Sequence, residues 1–130
     1  MIRLSDAPTK PRAAIYARAT RGGQRKVQSM LEQQEKAGRK KCEERGFEIV
    51  GVFIDAESSG DDRERPEFDR MIKLACSRER PVDCIIATDM TRITRNPVFG
   101  RVVTHLLMAR GAHLLLIDED ATTPFNDRNA

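Results

Sequence analysis

The sequence predicts an α/β domain with a mainly parallel central sheet of four to five strands and helices on both faces. Short apolar runs alternate with longer stretches of helical period, the arrangement that produces crossover connections between parallel strands. Proline and glycine punctuate the helical stretches where helices open and close, with Pro66 and Pro97 at starts and Gly46 and Gly111 at ends. At 130 residues the chain can fill one hydrophobic core but not comfortably two. One domain over 12–124 is expected, between an N-terminal extension over 1–11 and a C-terminal tail over 125–130.

Residues 1–11 carry Pro8 and Pro11 and no apolar period, so they read as lying outside the fold. The run 13–17 is the first strand. Val27, Met30, Leu31, Ala37 and Cys42 then recur at roughly three-and-four spacing as a first helix, and Gly46 stands where the left-handed terminus belongs. The second strand is 47–54. Pro66 suits a first helical position, and Phe68, Met71, Ile72, Ala75 and Cys76 form the apolar stripe of a second helix. The third strand is 82–87. Pro97 opens a third helix, carrying Val98, Phe99, Val102, Val103, Leu106 and Leu107, which closes at Gly111 before a fourth strand at 113–117.

Right-handed crossovers gather the loops leaving the carboxyl ends of parallel strands along one edge of the sheet. Polar segments fall there: Arg18-Ala19-Thr20, the stretch 55–65 and the stretch 88–96. A site at that edge would hold Arg18, Arg65, Arg92 and Arg95, with hydroxyls from Thr20, Ser58 and Ser59. Arginine is permanently charged and its planar fork matches phosphate oxygens, so such a set can bind a phosphodiester and stabilise charge growing on it. A neighbouring hydroxyl can act as nucleophile. Asp55 ends a strand as a receiver-type phosphoacceptor would, but the partner carboxylates and lysine of such a site are missing. His105 and His113 fall on different elements, which argues against metal or general-base work.

The balance of charges, +3 overall, lets a polyanion approach without showing that one does. Three cysteines with no C-x-x-C pair fit a reduced, cytoplasmic protein. No apolar run nears the ~18 residues of a membrane span, and the start lacks the apolar segment of a signal peptide.

These residues also carry a specific resemblance. Ile15-Tyr16-Ala17-Arg18-Ala19-Thr20 is similar to the strand-ending Tyr-x-Arg-x-Ser of the serine recombinases, the family of resolvases, invertases and large serine integrases. Gln24 matches a glutamine of that family, and Ser29 with Gln33 resembles the Ser-x-x-x-Gln that starts its first long helix. Asp55-Ala56-Glu57-Ser58-Ser59-Gly60 and Arg65-Pro66-Glu67-Phe68 resemble its Asp-x-x-x-Ser-Gly and Arg-Pro-x-Phe. Met90-Thr91-Arg92-Ile93-Thr94-Arg95-Asn96 resembles its Leu-Asp-Arg-Leu-x-Arg-Asn.

The resemblance implies a resolvase-like catalytic domain in which a hydroxyl attacks DNA phosphate, forms a 5′-phospho link and frees a 3′-hydroxyl, without metal or cofactor. Thr20 would be the nucleophile, Arg18, Arg65, Arg92 and Arg95 the catalytic arginines, and Tyr16, Gln24 and Ser59 contacts to phosphate or DNA. Tyr16 also reads as a packing residue with a polar tip.

Two positions depart from the pattern. Thr20 replaces the serine, and its methyl restricts rotation and crowds the line of attack. Thr91 stands where an aspartate is expected; loss of general acid–base help costs about 10²–10⁴-fold. Together they imply weakened or absent catalysis. The alternative is a non-catalytic domain that self-associates or partners an active recombinase subunit. An unrelated phosphate-binding α/β module is the remaining reading. The resemblance further implies a long helix after Pro124 and a separate DNA-binding domain; neither is in these residues, so the chain alone should bind DNA weakly and without sequence preference.

Overall fold

The computed structural model describes residues 10–19, 22–56 and 65–120. The strands β1 (Arg12–Ala19), β2 (Glu48–Ala56), β3 (Cys84–Ala87) and β4 (His113–Leu116) form one sheet in the order β2-β1-β3-β4, with every neighbouring pair parallel. The expected four to five strands are therefore four among the described residues. Helices α1 (Gln24–Arg45), α2 (Pro66–Ala75) and α4 (Pro97–Ala109) make the crossovers, and two short helices, α3 (Met90–Ile93) and α5 (Ile117–Asp120), follow β3 and β4.

β1 is central and buried on both sides, so its side chains divide between two cores. Ala14 and Tyr16 pack with Phe68, Met71 and Ala75 of α2 and Val103 and Leu107 of α4. Ala13 and Ile15 face the opposite way, with Cys42 of α1, and Ala17 and Ala19 continue that face against Leu31. α1 thus covers one face while α2 and α4 cover the other. The α1 contact is close: a Cβ added at Gly38 would come within 2.7 Å of the Ile15 side chain. Gly46 ends α1 at φ 73°, and the Phe47 N–H reaches back to the Cys42 carbonyl at 2.8 Å, closing the helix as its glycine foretold.

Both long strands run past the apolar segments read from sequence, because Arg18 and Asp55 are themselves ladder residues, paired in register. Cys76, expected within the second helical stripe, is instead its C-cap. β3 begins at Cys84 and β4 stops at Leu116, with Ile117 opening α5 rather than ending the strand. α3 was not anticipated; its four residues are too short to show a period, and it is capped by the Asp89 side chain. No described helix is long and apolar enough to cross a membrane.

Candidate phosphate-binding site

Three of the expected arginines meet at the carboxyl edge of the sheet. β1 brings Arg18 there, 8% exposed, beside Asp55 of β2. Arg92, on α3, donates from Nη1 to the Arg18 carbonyl at 3.2 Å. Arg65, at the N-cap of α2, donates from Nη1 to the Ile93 carbonyl, and its guanidinium lies 4.2 Å over the Phe68 ring. Arg18 and Arg65 are thus each tied to α3, which stands directly after β3. Arg95 lies one residue past the α3 C-cap Thr94 and is exposed. Thr20 and Ser59 lie outside the described residues, as does Ser58; the strand ends that lead to them, Ala19 and Ala56, are neighbours in register at this edge.

Arg18 is held by a residue that sequence reading passed over. The Gln34 side chain, 4% exposed, accepts from the Arg18 N–H and donates to the Arg18 carbonyl, both at 2.9 Å. The resemblance had singled out the adjacent Gln33, which is exposed. A signal existed: Leu31, Gln34, Gly38 and Cys42 are the buried residues of α1, so Gln34 is a polar group on the apolar stripe.

Tyr16, expected as a contact to phosphate or DNA, lies in the core. It is 1% exposed, its ring meets Phe68 edge-on at 5.3 Å, and its hydroxyl donates to Asp55 at 2.8 Å. Burial, then the bond to Asp55, pushes the Tyr16 hydroxyl well above its ordinary range. Asp55 in turn accepts from the backbone N–H groups of Glu67 and Phe68, at 3.1 and 2.9 Å, and so caps α2 from across the sheet edge. Its carboxylate is taken up by the Tyr16 hydroxyl and the first turn of α2.

Gln24 opens α1, exposed, along a shallow groove of about 560 Å³ shared with Arg25, Gln28, Ser29 and Glu32. None of the clustered arginines lines that groove. A second cleft, of about 320 Å³, lies between α1 and the β3 and β4 ends, lined by Gln33, Gln34, Thr88, Asp89, Arg92 and Asp118 together with Met30.

Thr91 is half-buried and bonded to a carboxylate two residues upstream. Its hydroxyl and its N–H both donate to Asp89 Oδ1, the latter at 2.9 Å. Asp89 Oδ2 lies 3.5 Å from Arg92 Nε and accepts from the Thr88 hydroxyl at 3.2 Å. Burial pushes the Asp89 carboxyl upward, but the Thr91 hydroxyl and the Arg92 charge outweigh it and hold it below the usual range. Among the described residues no group of His, Cys, Asp and Glu is arranged to hold a metal ion.

The fold is shared with known serine recombinase catalytic domains. The family model for the resolvase N-terminal domain matches residues 13–129, and the chain belongs to that family. The C-terminal catalytic domain of ISC1926 TnpA, an IS607-like serine recombinase, is 25% identical at a TM-score of 0.70, over 82% of this chain and 70% of that one. A resolvase family site-specific recombinase from Streptococcus pneumoniae shares the fold at a TM-score of 0.75, with 22% identity over 92% of this chain and 83% of its own. So does the N-terminal catalytic domain of TP901-1 integrase, at a TM-score of 0.68 and 19% identity, over 86% and 83% respectively. Among curated proteins none matches the chain.

Proposed function

We propose that residues 12–124 form a recombinase catalytic unit that holds a DNA phosphodiester at the carboxyl edge of the sheet and cleaves and rejoins it slowly through Thr20. The convergence of Arg18, Arg65 and Arg92 on α3 carries this reading. Such a cluster has permanent charges on a rigid frame, which suits a phosphate whose negative charge grows as a fifth oxygen approaches. Thr20 follows Arg18 by two residues, so its hydroxyl is the nucleophile nearest in sequence to the cluster. Its Oγ forms a bond to phosphorus as the bond to the 3′-oxygen breaks; the hydroxyl loses its proton and the departing 3′-oxygen gains one. Attack by that 3′-hydroxyl on the phosphothreonine link reverses the step. No metal or cofactor enters this scheme.

Arg95, Gln24 and Ser59 serve in this reading as contacts to the flanking DNA backbone. DNA is the substrate, bound weakly and without sequence preference by this chain alone, and a second copy or another recombinase subunit is the protein partner. The cytoplasm is the matching compartment.

The test joins the chain to a dimerising helix and a DNA-binding domain of known target and measures covalent protein–DNA product. Thr20→Ser should raise its rate about tenfold, the effect of about 1.4 kcal/mol less barrier. Thr20→Val should abolish it and Arg92→Ala should lower it. Absence of covalent product from both the parent and Thr20→Ser favours the association-partner role instead.

A further inference from the structure

We propose that Asp89 is a positioning residue of this site, supplying through its bond to Thr91 the carboxylate that keeps the Arg92 guanidinium aimed. The inference rests on the reading above, that the arginine cluster receives a phosphodiester.

The resemblance places an aspartate at position 91, and the residue there is a threonine. Yet the negative charge has not left the neighbourhood. Thr91 donates to Asp89 with both its hydroxyl and its backbone N–H, so Asp89 Oδ1 sits one hydrogen bond from the position the resemblance assigns to a carboxylate. Oδ2 faces Arg92 Nε at 3.5 Å, while Arg92 Nη1 is on the Arg18 carbonyl at 3.2 Å. The Asp89 carboxylate stands at ion-pair distance from Nε, which makes no hydrogen bond of its own among the described residues, while a carbonyl holds Nη1. Charge on one edge and a hydrogen bond on the other bias the orientation of the fork, and a planar bidentate donor is only as selective as its orientation. The pair borders open space, since Asp89 and Arg92 both line the 320 Å³ cleft and their side chains are 29% and 25% exposed.

Asp89 also caps α3, and that role alone would explain its bonds to Thr91. Charge separates the two roles. Asparagine caps a helix about as well as aspartate, so Asp89→Asn keeps the cap while removing the charge beside Arg92. Simple electrostatics then gives opposite signs: deleting a nearby negative charge should tighten binding of a polyanion, whereas loss of an orienting partner should weaken it.

The experiment titrates the full chain with a short DNA duplex at low salt, alongside thermal unfolding of each variant. Asp89→Asn is expected to raise the dissociation constant about threefold to tenfold, the scale of a partly exposed charge pair, with the unfolding midpoint little changed. Adding Thr91→Asp to Asp89→Asn should restore binding by returning the carboxylate to the neighbouring position. Equal or tighter binding by Asp89→Asn overturns the proposal. Should that variant fold poorly, Thr91→Val serves: it deletes only the hydroxyl bond that steadies Asp89, and should weaken binding in the same direction; unchanged affinity overturns the proposal equally. Arg92→Ala separates the two layers. If it weakens binding while Asp89→Asn does not, the positioning role fails and the phosphate site stands; if it leaves binding unchanged, the phosphate reading falls and takes the positioning role with it.

Discussion

The side-chain amide of Gln34 pairs with the backbone of Arg18 along one edge of β1, accepting from its N–H and donating to its carbonyl, each at 2.9 Å. The register between β1 and β3 ends at Ile15 and Ile86, short of Arg18. A primary amide carries the same donor and acceptor as a peptide, so Gln34 acts as a one-residue strand that extends support to the end of β1. Gln34→Leu keeps the volume and deletes both bonds at a buried point. It should cost about 1–3 kcal/mol, seen as a lower urea midpoint with an unchanged m-value. A midpoint equal to that of the parent would show that the grip contributes nothing.

Tyr16, Asp55 and the first turn of α2 form one unit. Asp55→Ala removes the helix cap and the Tyr16 acceptor together, whereas Tyr16→Phe removes only a donor. The first should cost more than the second, with Tyr16→Phe at about 1–3 kcal/mol, the scale of a hydrogen bond to a charged group. The cost of Tyr16→Phe should largely vanish in the Asp55→Ala background, because its partner is already gone. Additive effects in that double-mutant cycle would separate Tyr16 from the cap.

What the sequence made legible, and what it did not, follows from range. Pro66 and Pro97 open helices through their own fixed φ, and Gly46 closes one through its own left-handed φ, so each signal is local. Asp55 caps α2 from 12 and 13 residues upstream of the N–H groups it accepts from, and no pattern along the chain announces that. Asp89 lay within view, three residues before Arg92 and directly before a short helix, but four helical residues show no period. The placing of Arg18 and Arg92 was legible because crossovers force the end of β1 and the residues after β3 to one edge. The cluster's internal order, with Arg92 on Arg18 and Arg65 on Ile93, depends on α3, which had no sequence signature.

Asp83 ties the start of β1 to the entry of β3. It accepts from the Arg12 N–H at 2.7 Å and from Arg12 Nε at 3.2 Å, while Arg12 Nη2 reaches the Arg80 carbonyl at 2.6 Å. Partial burial pushes the Asp83 carboxyl up, but the bonds and charge of Arg12 prevail and hold it below its ordinary value of 3.8. A depressed folded-state value means that the stabilisation is fully present above the unfolded value and fades as pH falls through the folded one. The thermal midpoint of the parent should therefore exceed that of Asp83→Asn at pH 6, with the gap closing as the solution is taken below about pH 4. A gap independent of pH would assign the loss to packing rather than charge.

Salt dependence gives the sharpest reading of how many charges meet DNA. Each phosphate neutralised on duplex DNA contributes about −0.9 to the slope of log K against log salt. Arg18, Arg65 and Arg92 form the cluster and Arg95 stands exposed beside it, so full engagement by this edge alone gives a slope of about −3 to −4. That is well short of the 6–10 phosphate contacts at which affinity falls by about 10³–10⁵ between 50 and 200 mM salt. Binding by the chain should accordingly be weak at physiological salt and alike for unrelated duplexes, because phosphate contacts carry no sequence information directly. Arg92→Ala should make the slope shallower by about one, and Arg95→Ala should do the same if its exposed guanidinium lies on the DNA path. A tight complex with one sequence, or a slope near −8, would mean that other basic residues, such as those along α1, form the main DNA surface and that the arginine cluster is only a part of it.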